Sequence, residues 1–590
     1  MPIQELDMMP DKIISTESGF HASDGTFIFY RYWLGRPLDT LTSSDKKVMV
    51  FLHRGHEHSA RLTEMALAFV QAGYQVFAWD ARGNGLSEGE RDHAESFSCL
   101  VADLDEFVAE IRQLMTVDDS QIMLCASSLG ALMAIAWVHD YAPKVRSMIL
   151  GTPALAIRLY VPFALPALQF AQKVGVMSRV SSYVKAKVLT HDQHAQQAYN
   201  DDALISTSIS RDLLIDSILT GQRLLDDAGA ITVPTMVLCA GKDFVVNKGA
   251  IRTFYERLRS PVKRWQYYTD SFHAIFHETN KADVYQDCIA FADEVFATPF
   301  TPVDLTDADK SSEHAKRHSQ ERIEAFMAKE FNPQFVLTRL AIEKLGWISD
   351  SVAMGVRHGF DSGSSLDKVY QNQPNGKNML GKWVDRFYLN NIGWQGIRIR
   401  KAHLLELASI VLSSIQSDTP RLLDIASGNG FYAFELAQTY PNLQLCLRDY
   451  DTHNVKVMSQ KIQTLGLGKR VQAEQMDAFE LATYDEQVAD VAIASGVFEL
   501  FSDNALIKTA LTGIHRSLSD GGYLIYTNQP WHPEQEFIGK TLTNHRGKDW
   551  IMRCRSQAEM DQLAEQAGFK KIAMKIDKFG IFSVSLAKKI

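Results

Sequence analysis

Twice along this chain a short, wholly apolar run breaks into a turn of small residues and resumes as helical sequence. The first is Leu124-Cys125-Ala126-Ser127-Ser128-Leu129-Gly130, and the second is Leu422-Leu423-Asp424-Ile425-Ala426-Ser427-Gly428-Asn429-Gly430. A strand that is apolar at every position needs cover on both faces, which demands a mostly parallel sheet between layers of helix. The chain has 590 residues, and single cores stop growing near ~250–300 residues. The two turns therefore belong to two α/β domains.

In the first half, Val48–Leu52, Gln75–Trp79, Gln121–Cys125, Ser147–Leu150 and Thr235–Cys239 are strand candidates separated by helical sequence,. The alternation lapses into apolar, helical sequence over about residues 155–225, which is expected to form a cap,. These elements define a domain over residues 1–298. Prolines at 299 and 302, followed by a charged stretch without apolar periodicity, mark a linker over 299–320,. Residues 321–420 read as a helical extension, interrupted at Asp361–Ser365 and at the turn Gln373–Gly376. A second alternating series fills 421–590.

The net charge of −9 argues against a general nucleic-acid binder, which carries a basic excess,. No run of about 18 apolar residues appears, so no membrane span is expected. The start Met1-Pro2-Ile3-Gln4 lacks the basic and apolar regions of a signal peptide,. The six cysteines are scattered without a C-x-x-C pair and read as reduced thiols, which points to the cytoplasm,.

Ser128 sits in A-x-S-x-G, a turn that needs small residues two before and two after a nucleophile because the backbones approach closely,. A serine hydroxyl needs a histidine base oriented by a carboxylate. On this kind of sheet those partners follow in the order Ser, Asp, His. Asp243 lies just past the strand Thr235–Cys239, and His273 follows in the loop Asp270-Ser271-Phe272-His273. His277 is the competing base, read as a helix-face residue. The segment His53-Arg54-Gly55-His56-Glu57-His58 follows the first central strand, where the amides of Gly55 and Leu129 would form an oxyanion hole,. His53, His56 and His58 have the look of a metal cluster but are read as a turn scaffold, with no metal expected,.

With Asp80-Ala81-Arg82-Gly83-Asn84-Gly85-Leu86-Ser87-Glu88-Gly89, the His-Arg-Gly-His-Glu-His segment resembles the monoacylglycerol lipase and lysophospholipase branch of the α/β-hydrolases. The resemblance covers about residues 15–298. It implies a serine esterase for a lipid-like ester substrate, with the cap holding an acyl chain and transient contact with a membrane surface. Arg54 departs from it, because the family usually has glycine there.

In the second half, Gly428 and Gly430 let the backbone approach a cofactor at the edge of the sheet. Asp449 ends the next strand about 20 residues on, where a ribose hydroxyl is read. Asp477-Ala478-Phe479 follows the third strand, Ser495 ends the fourth, and Gly521-Gly522 precedes a fifth. This series resembles class I S-adenosylmethionine-dependent methyltransferases over about 395–590. The resemblance implies S-adenosylmethionine held by Asp424, Ala426, Gly428, Gly430, Asp449, Asp477, Ala478 and Ser495, and an unknown methyl acceptor. A nicotinamide cofactor is the rival reading, since the first βαβ unit is shared. Asn528-Gln529-Pro530-Trp531 only partly matches a base-holding motif and reads as a substrate-side loop, with no nucleic acid expected,. Trp531–Glu534 and Trp550–Arg555 read as acceptor-pocket walls or as packing. The whole chain resembles bacterial fusions of an α/β-hydrolase with a class I methyltransferase. Two alternatives remain: a non-catalytic S-adenosylmethionine-sensing second domain, and a thioesterase or acyltransferase in place of the esterase.

Overall fold

The computed structural model describes residues 4–5, 13–42, 46–312, 314 and 332–590. The chain divides into two compact units, Met1–Val303 and Asp304–Ile590. Both are α/β, as the alternation requires.

The first unit is built on strands β1 (Gln4–Glu5), β2 (Ile14–His21), β3 (Phe27–Leu34), β4 (Val48–Leu52), β5 (Gln75–Trp79), β6 (Ile122–Ser127) and β7 (Ser147–Gly151). A cap hairpin, β8 (Arg179–Ser181) and β9 (Ser208–Ser210), intervenes before β10 (Thr235–Ala240) and β11 (Lys263–Tyr268). The main sheet runs β1-β2-β3-β5-β4-β6-β7-β10-β11. It is parallel from β5 to β11, with β1–β3 antiparallel at one edge. Every residue of β4, β5, β6, β7 and β10 is buried. That burial is the physical reason these five strands read as unbroken apolar runs. β2 and the edge strand β11 escaped the sequence reading because they carry polar residues such as Ser15, Thr16, Glu17, Lys263 and Arg264.

The cap contains helices Ala164–Val174, Ala186–Leu189, Gln193–Asp201 and Arg211–Asp226, to which the β8–β9 hairpin is an unexpected addition. Helix Arg211–Asp226 is pinned to the buried helix Leu129–Tyr141. Arg223 donates to both oxygens of Asp140 at 2.6 and 2.8 Å, and His139 bridges Asp140 and Asp227 at 2.7 and 2.8 Å. Burial disfavours charge on His139, but the two carboxylates outweigh it and raise the imidazole to about 9,.

The second unit carries β12 (Arg421–Asp424), β13 (Gln444–Asp449), β14 (Val471–Gln475), β15 (Ala489–Ala494), β16 (Leu518–Asn528), β17 (Phe569–Ile576) and β18 (Ser583–Lys589). Its order is β14-β13-β12-β15-β16-β18-β17, with β18 antiparallel beside β16. The order reverses between β12 and β15, so the crevice at their carboxyl ends is where a doubly wound sheet takes its ligand. The antiparallel β18 replaces the sixth parallel strand of a dinucleotide-binding sheet. Gly521 and Gly522 fall inside β16 and not ahead of it.

Helices Pro333–Leu345, Asp350–His358, Gly363–Gln371, Met379–Leu389 and Ile392–Ser414 form the extension. Ser362 caps the third by accepting from the Ser365 amide, which explains the Ser-Gly break,. Part of the expected linker is packed structure. Leu305 and Ala308 are buried, Leu305 N–H donates to Gln562 at 2.7 Å, and Asn504 donates to Thr306 O at 3.2 Å. Residue 313, residues 315–320 of that linker and residues 321–331 of the extension lie outside the described residues, as do residues 1–3 of the start. Among the described residues no helix is long and apolar enough to cross a membrane.

Candidate active sites

Ser128 stands between the end of β6 and the helix Leu129–Tyr141 with φ 53° and ψ −112°. A side-chain-bearing residue held there stores about 1–3 kcal/mol of strain. Close packing maintains it. A Cβ at Gly130 would lie 2.7 Å from Leu52 O and closer still to His53 O, so only glycine lets the helix start against β4. The bend lifts the Ser128 hydroxyl off the sheet edge.

His273 Nε2 lies 2.8 Å from Ser128 Oγ, and His273 Nδ1 lies 2.8 Å from Asp243 Oδ2. The other oxygen of Asp243 accepts the Val245 and Val246 amides at 2.7 and 2.9 Å. Burial pushes the Asp243 carboxyl up, but the His273 ring and these amides outweigh it and hold the group below its ordinary value,. Three residues 115 or more positions from one another or 30 apart in sequence thus meet as one buried relay. His277 is not in it. Its Nε2 lies 3.8 Å from Glu57, and burial lowers it to about 4.

Gly55 faces the start of the helix Leu129–Tyr141, and a Cβ on it would come 3.6 Å from Leu129 Cδ2. Leu129 opens that helix, so its amide has no intrahelical acceptor,. The histidines around Gly55 turn to separate partners. Ala81 N–H donates to His53 Nε2 at 2.9 Å, which leaves the ring proton on Nδ1 to donate to Arg54 O at 2.8 Å. His56, at φ 70°, is held by Asp92, and His58 Nε2 pairs with Asp202 of the cap at 2.8 Å. Among the described residues no three His, Cys, Asp or Glu side chains are placed to share a metal ion.

Arg54, where the resemblance led one to expect glycine, is buried. It donates to Glu57 at 2.7 Å and lies 5.1 Å from the ring of Tyr199, a cap residue. Arg61 reaches the same carboxylate at 2.6 Å and the same ring at 5.5 Å. Burial pushes Glu57 up, but Arg54, His277 and Arg61 together hold it well below the carboxylate range. The arginine is thus paired with a carboxylate and links the cap residue Tyr199 to the loop after β4. Sequence reasoning missed Tyr199, Asp92 and Asp202, because nothing local marks a residue whose partner lies on a distant loop.

In the second unit Asp424, Asp449, Asp477 and Ser495 come to the carboxyl edges of β12, β13, β14 and β15. Gly428 (φ 55°) and Gly430 (φ 70°) take backbone conformations that favour glycine, and Gly428 N–H donates to Asp449 Oδ2 at 2.8 Å,. Asp449 Oδ1 accepts from Asp451 N–H and Asn454, so the carboxylate braces the loop while keeping lone pairs for a hydroxyl,. Asp477 Oδ1 accepts the Phe479 amide at 2.9 Å, and Ala478 O accepts the Tyr484 hydroxyl at 2.8 Å. Ala426 N–H donates to Asp424 Oδ1 at 3.3 Å, and Ser495 is half-buried at its strand end.

Among the buried carboxylate oxygens of this unit without a close hydrogen-bond partner are Asp424 Oδ2 and Glu499 Oε2, and the Tyr432 hydroxyl acts on the Asp424 carboxyl. Burial pushes the Asp424 carboxyl up to about 7. Buried Arg400, from the extension, donates to Glu499 at 3.2 Å and would touch any side chain placed at Gly496. Buried acceptors of this kind beside a glycine loop favour a ligand that brings donors or positive charge. Arg400 and Glu499 went unread because the extension that brings them together lies outside the β/α series.

Parts of the segments Asn528–Trp531 and Trp550–Arg555 are packing. Arg553 and Arg555 are buried clamps on Asn504, Glu559 and the carbonyls of Phe498 and Phe501. Trp550 stacks on Trp394 at 5.9 Å. Asn528 is buried and donates to Arg555 O at 3.0 Å.

Residues 288–589 match the family described as "Putative methyltransferase", and residues 43–280 match one described as "Serine aminopeptidase, S33". An uncharacterized protein of Escherichia coli, YnbC, is 39% identical over 586 residues, covering 98% of this chain and 99% of its own. The phospholipase YtpA of Bacillus subtilis is 26% identical over 255 residues, 42% of this chain and 95% of its own. A monoacylglycerol lipase of Mycolicibacterium smegmatis is 26% identical over 283 residues, 46% of this chain and 95% of its own.

Proposed function

This chain belongs to the family described as "Putative methyltransferase" and carries a lipase-like α/β-hydrolase domain ahead of it, and on that footing we propose that it is an enzyme with two sites. The first is a serine ester hydrolase for lipid-related esters, and the second an S-adenosylmethionine-dependent methyltransferase. The observation that carries the first is the unbroken 2.8 Å relay from Ser128 through His273 to Asp243.

In this reading Ser128 Oγ attacks the ester carbonyl while His273 Nε2 takes its proton. Asp243 keeps the other ring proton on Nδ1 and stabilises the imidazolium. The Gly55 and Leu129 amides donate to the oxyanion, a contribution of several kcal/mol in a dry site. His273 then passes the proton to the departing alcohol, leaving an acyl group on Ser128. Water, deprotonated by the same histidine, releases the acid. A phospholipase and a monoacylglycerol lipase among the relatives support a lipid-like substrate.

In the second unit Asp424, Ala426, Gly428, Gly430, Asp449, Asp477, Ala478 and Ser495 would hold S-adenosylmethionine, which supplies an electrophilic methyl group. The chain's own part is to orient the acceptor and exclude water. Helix Gly363–Gln371 supports the second of these, since Gly363 closes on Asn429, whose amide donates to Asp367 at 3.0 Å. A cytoplasmic setting completes the proposal, supported by six cysteines that form no disulfide.

A fluorophosphonate probe tests the first site and S-adenosylmethionine tests the second. Labelling that disappears in Ser128→Ala, with a raised melting temperature on adding S-adenosylmethionine, is the expected result. Undiminished labelling of Ser128→Ala refutes the hydrolase assignment. No thermal response to S-adenosylmethionine refutes the cofactor assignment.

A further inference from the structure

The helix Met379–Leu389 of the extension is amphipathic in an unusual sense. Gly381, Asp385 and Leu389 form its buried face, and a Cβ at Gly381 would collide with Ile348 O, so the helix lies tight against the turn before it. At a spacing of four residues the opposite face turns outward Met379 (84% exposed), Trp383 (63%) and Phe387 (76%),. Trp383 and Phe387 stack on each other at 6.2 Å. The apolar surface continues onto Trp347, over whose ring Lys377 Nζ sits at 5.2 Å, and onto Leu345 of the adjoining helix. Aromatic side chains this exposed in a row mark a surface meant to be covered.

Charge decides what covers it. Exposed Lys382 and Arg386 alternate with Trp383 and Phe387 on the same face, and exposed Lys377 lies just ahead of the helix. The single carboxylate of the helix, Asp385, points inward, where it accepts from the Ser351 amide at 3.0 Å and from the Ser349 hydroxyl. In a chain of net charge −9 this helix thus turns no carboxylate outward. In a protein–protein contact, Lys382 would have to be buried beside the aromatic rings, where lysine is depleted. At a bilayer, Trp and Phe enter the headgroup region while Lys and Arg extend their stems to the phosphates.

We propose that this face of the extension docks on the surface of an anionic lipid bilayer. The helix lies in the interface without crossing it. It belongs to the same unit as the proposed methyl-transfer crevice, and a bilayer-borne methyl acceptor is a corollary that rests on that reading. The docking itself needs no turnover.

Cosedimentation of the full chain with vesicles of phosphatidylcholine, with and without one third phosphatidylglycerol, tests it. The expected result is binding to the anionic vesicles that weakens with salt. Trp383→Ser/Phe387→Ser and Lys382→Glu/Arg386→Glu each lower the partition coefficient at least about tenfold, while both variants keep the parental melting transitions. A cap variant, Phe163→Ser/Phe170→Ser, controls for the other exposed apolar surface, because Phe163 and Phe170 also face outward. Undiminished binding by the folded extension variants, or loss confined to the cap variant, overturns the proposal. So does a concentration-dependent dimer that Trp383→Ser/Phe387→Ser dissociates, with no vesicle binding by the parent. Loss of methyl transfer with docking intact leaves this inference standing and counts against the proposed activity alone.

Discussion

Replacing Asp424 by asparagine isolates one electrostatic cost in the second unit. The Asp424 carboxyl is buried, its Oδ2 has no hydrogen-bond partner, and burial moves it from 3.8 to about 7. The Tyr432 hydroxyl, the Ala426 amide and Ser427 pull the other way without winning. At 1.36 kcal/mol per tenfold change in proton affinity, the charged form costs about 4 kcal/mol. The folded state keeps its proton between pH 3.8 and about 7, where the unfolded state has lost it, so stability falls across that window as pH rises and levels off above it,. Asparagine keeps the shape and cannot ionise. Its advantage over aspartate therefore grows by about 3 kcal/mol between pH 5 and pH 8, or about 5 °C in the transition of a unit this size. Calorimetry of the full chain at several pH values measures this, and the transition that S-adenosylmethionine shifts identifies the second unit. A difference between parent and Asp424→Asn that stays constant from pH 5 to pH 8 would show that Asp424 is ionised throughout, and the burial argument would fail.

Asp243→Asn should leave the fold intact and lower the esterase kcat by about 10⁴, since asparagine stabilises no imidazolium and favours the wrong ring tautomer; initial rates on a short-chain ester check it. Arg54→Gly removes the 2.7 Å pair to Glu57 and the contact with Tyr199. It should cost about 1–3 kcal/mol and speed amide exchange in the cap helix Gln193–Asp201, whereas unchanged exchange there would show that the latch holds nothing.

The architecture was legible where burial leaves a mark on composition. Strands β4, β5, β6, β7 and β10 are enclosed on both faces, so each reads as an apolar run, and the small residues at 126, 130, 428 and 430 mark the turns that end β6 and β12. Ser128, Asp243 and His273 were legible for a related reason: chain order and loop position follow from the winding of the sheet. Strand β2 and the edge strand β11 were not, because half-exposed residues carry mixed composition. Tertiary structure alone decided that Arg54 is neutralised by Glu57 and stacked on Tyr199, that Arg400 meets Glu499 across 99 positions, and that residues 304–312 pack within the second unit. It also decided which face of Met379–Leu389 is covered, although either face of that helix carries apolar residues. Sequence determines such features only through energies summed over distant partners. A local pattern records whether a residue is enclosed, and the assembled fold determines what encloses it.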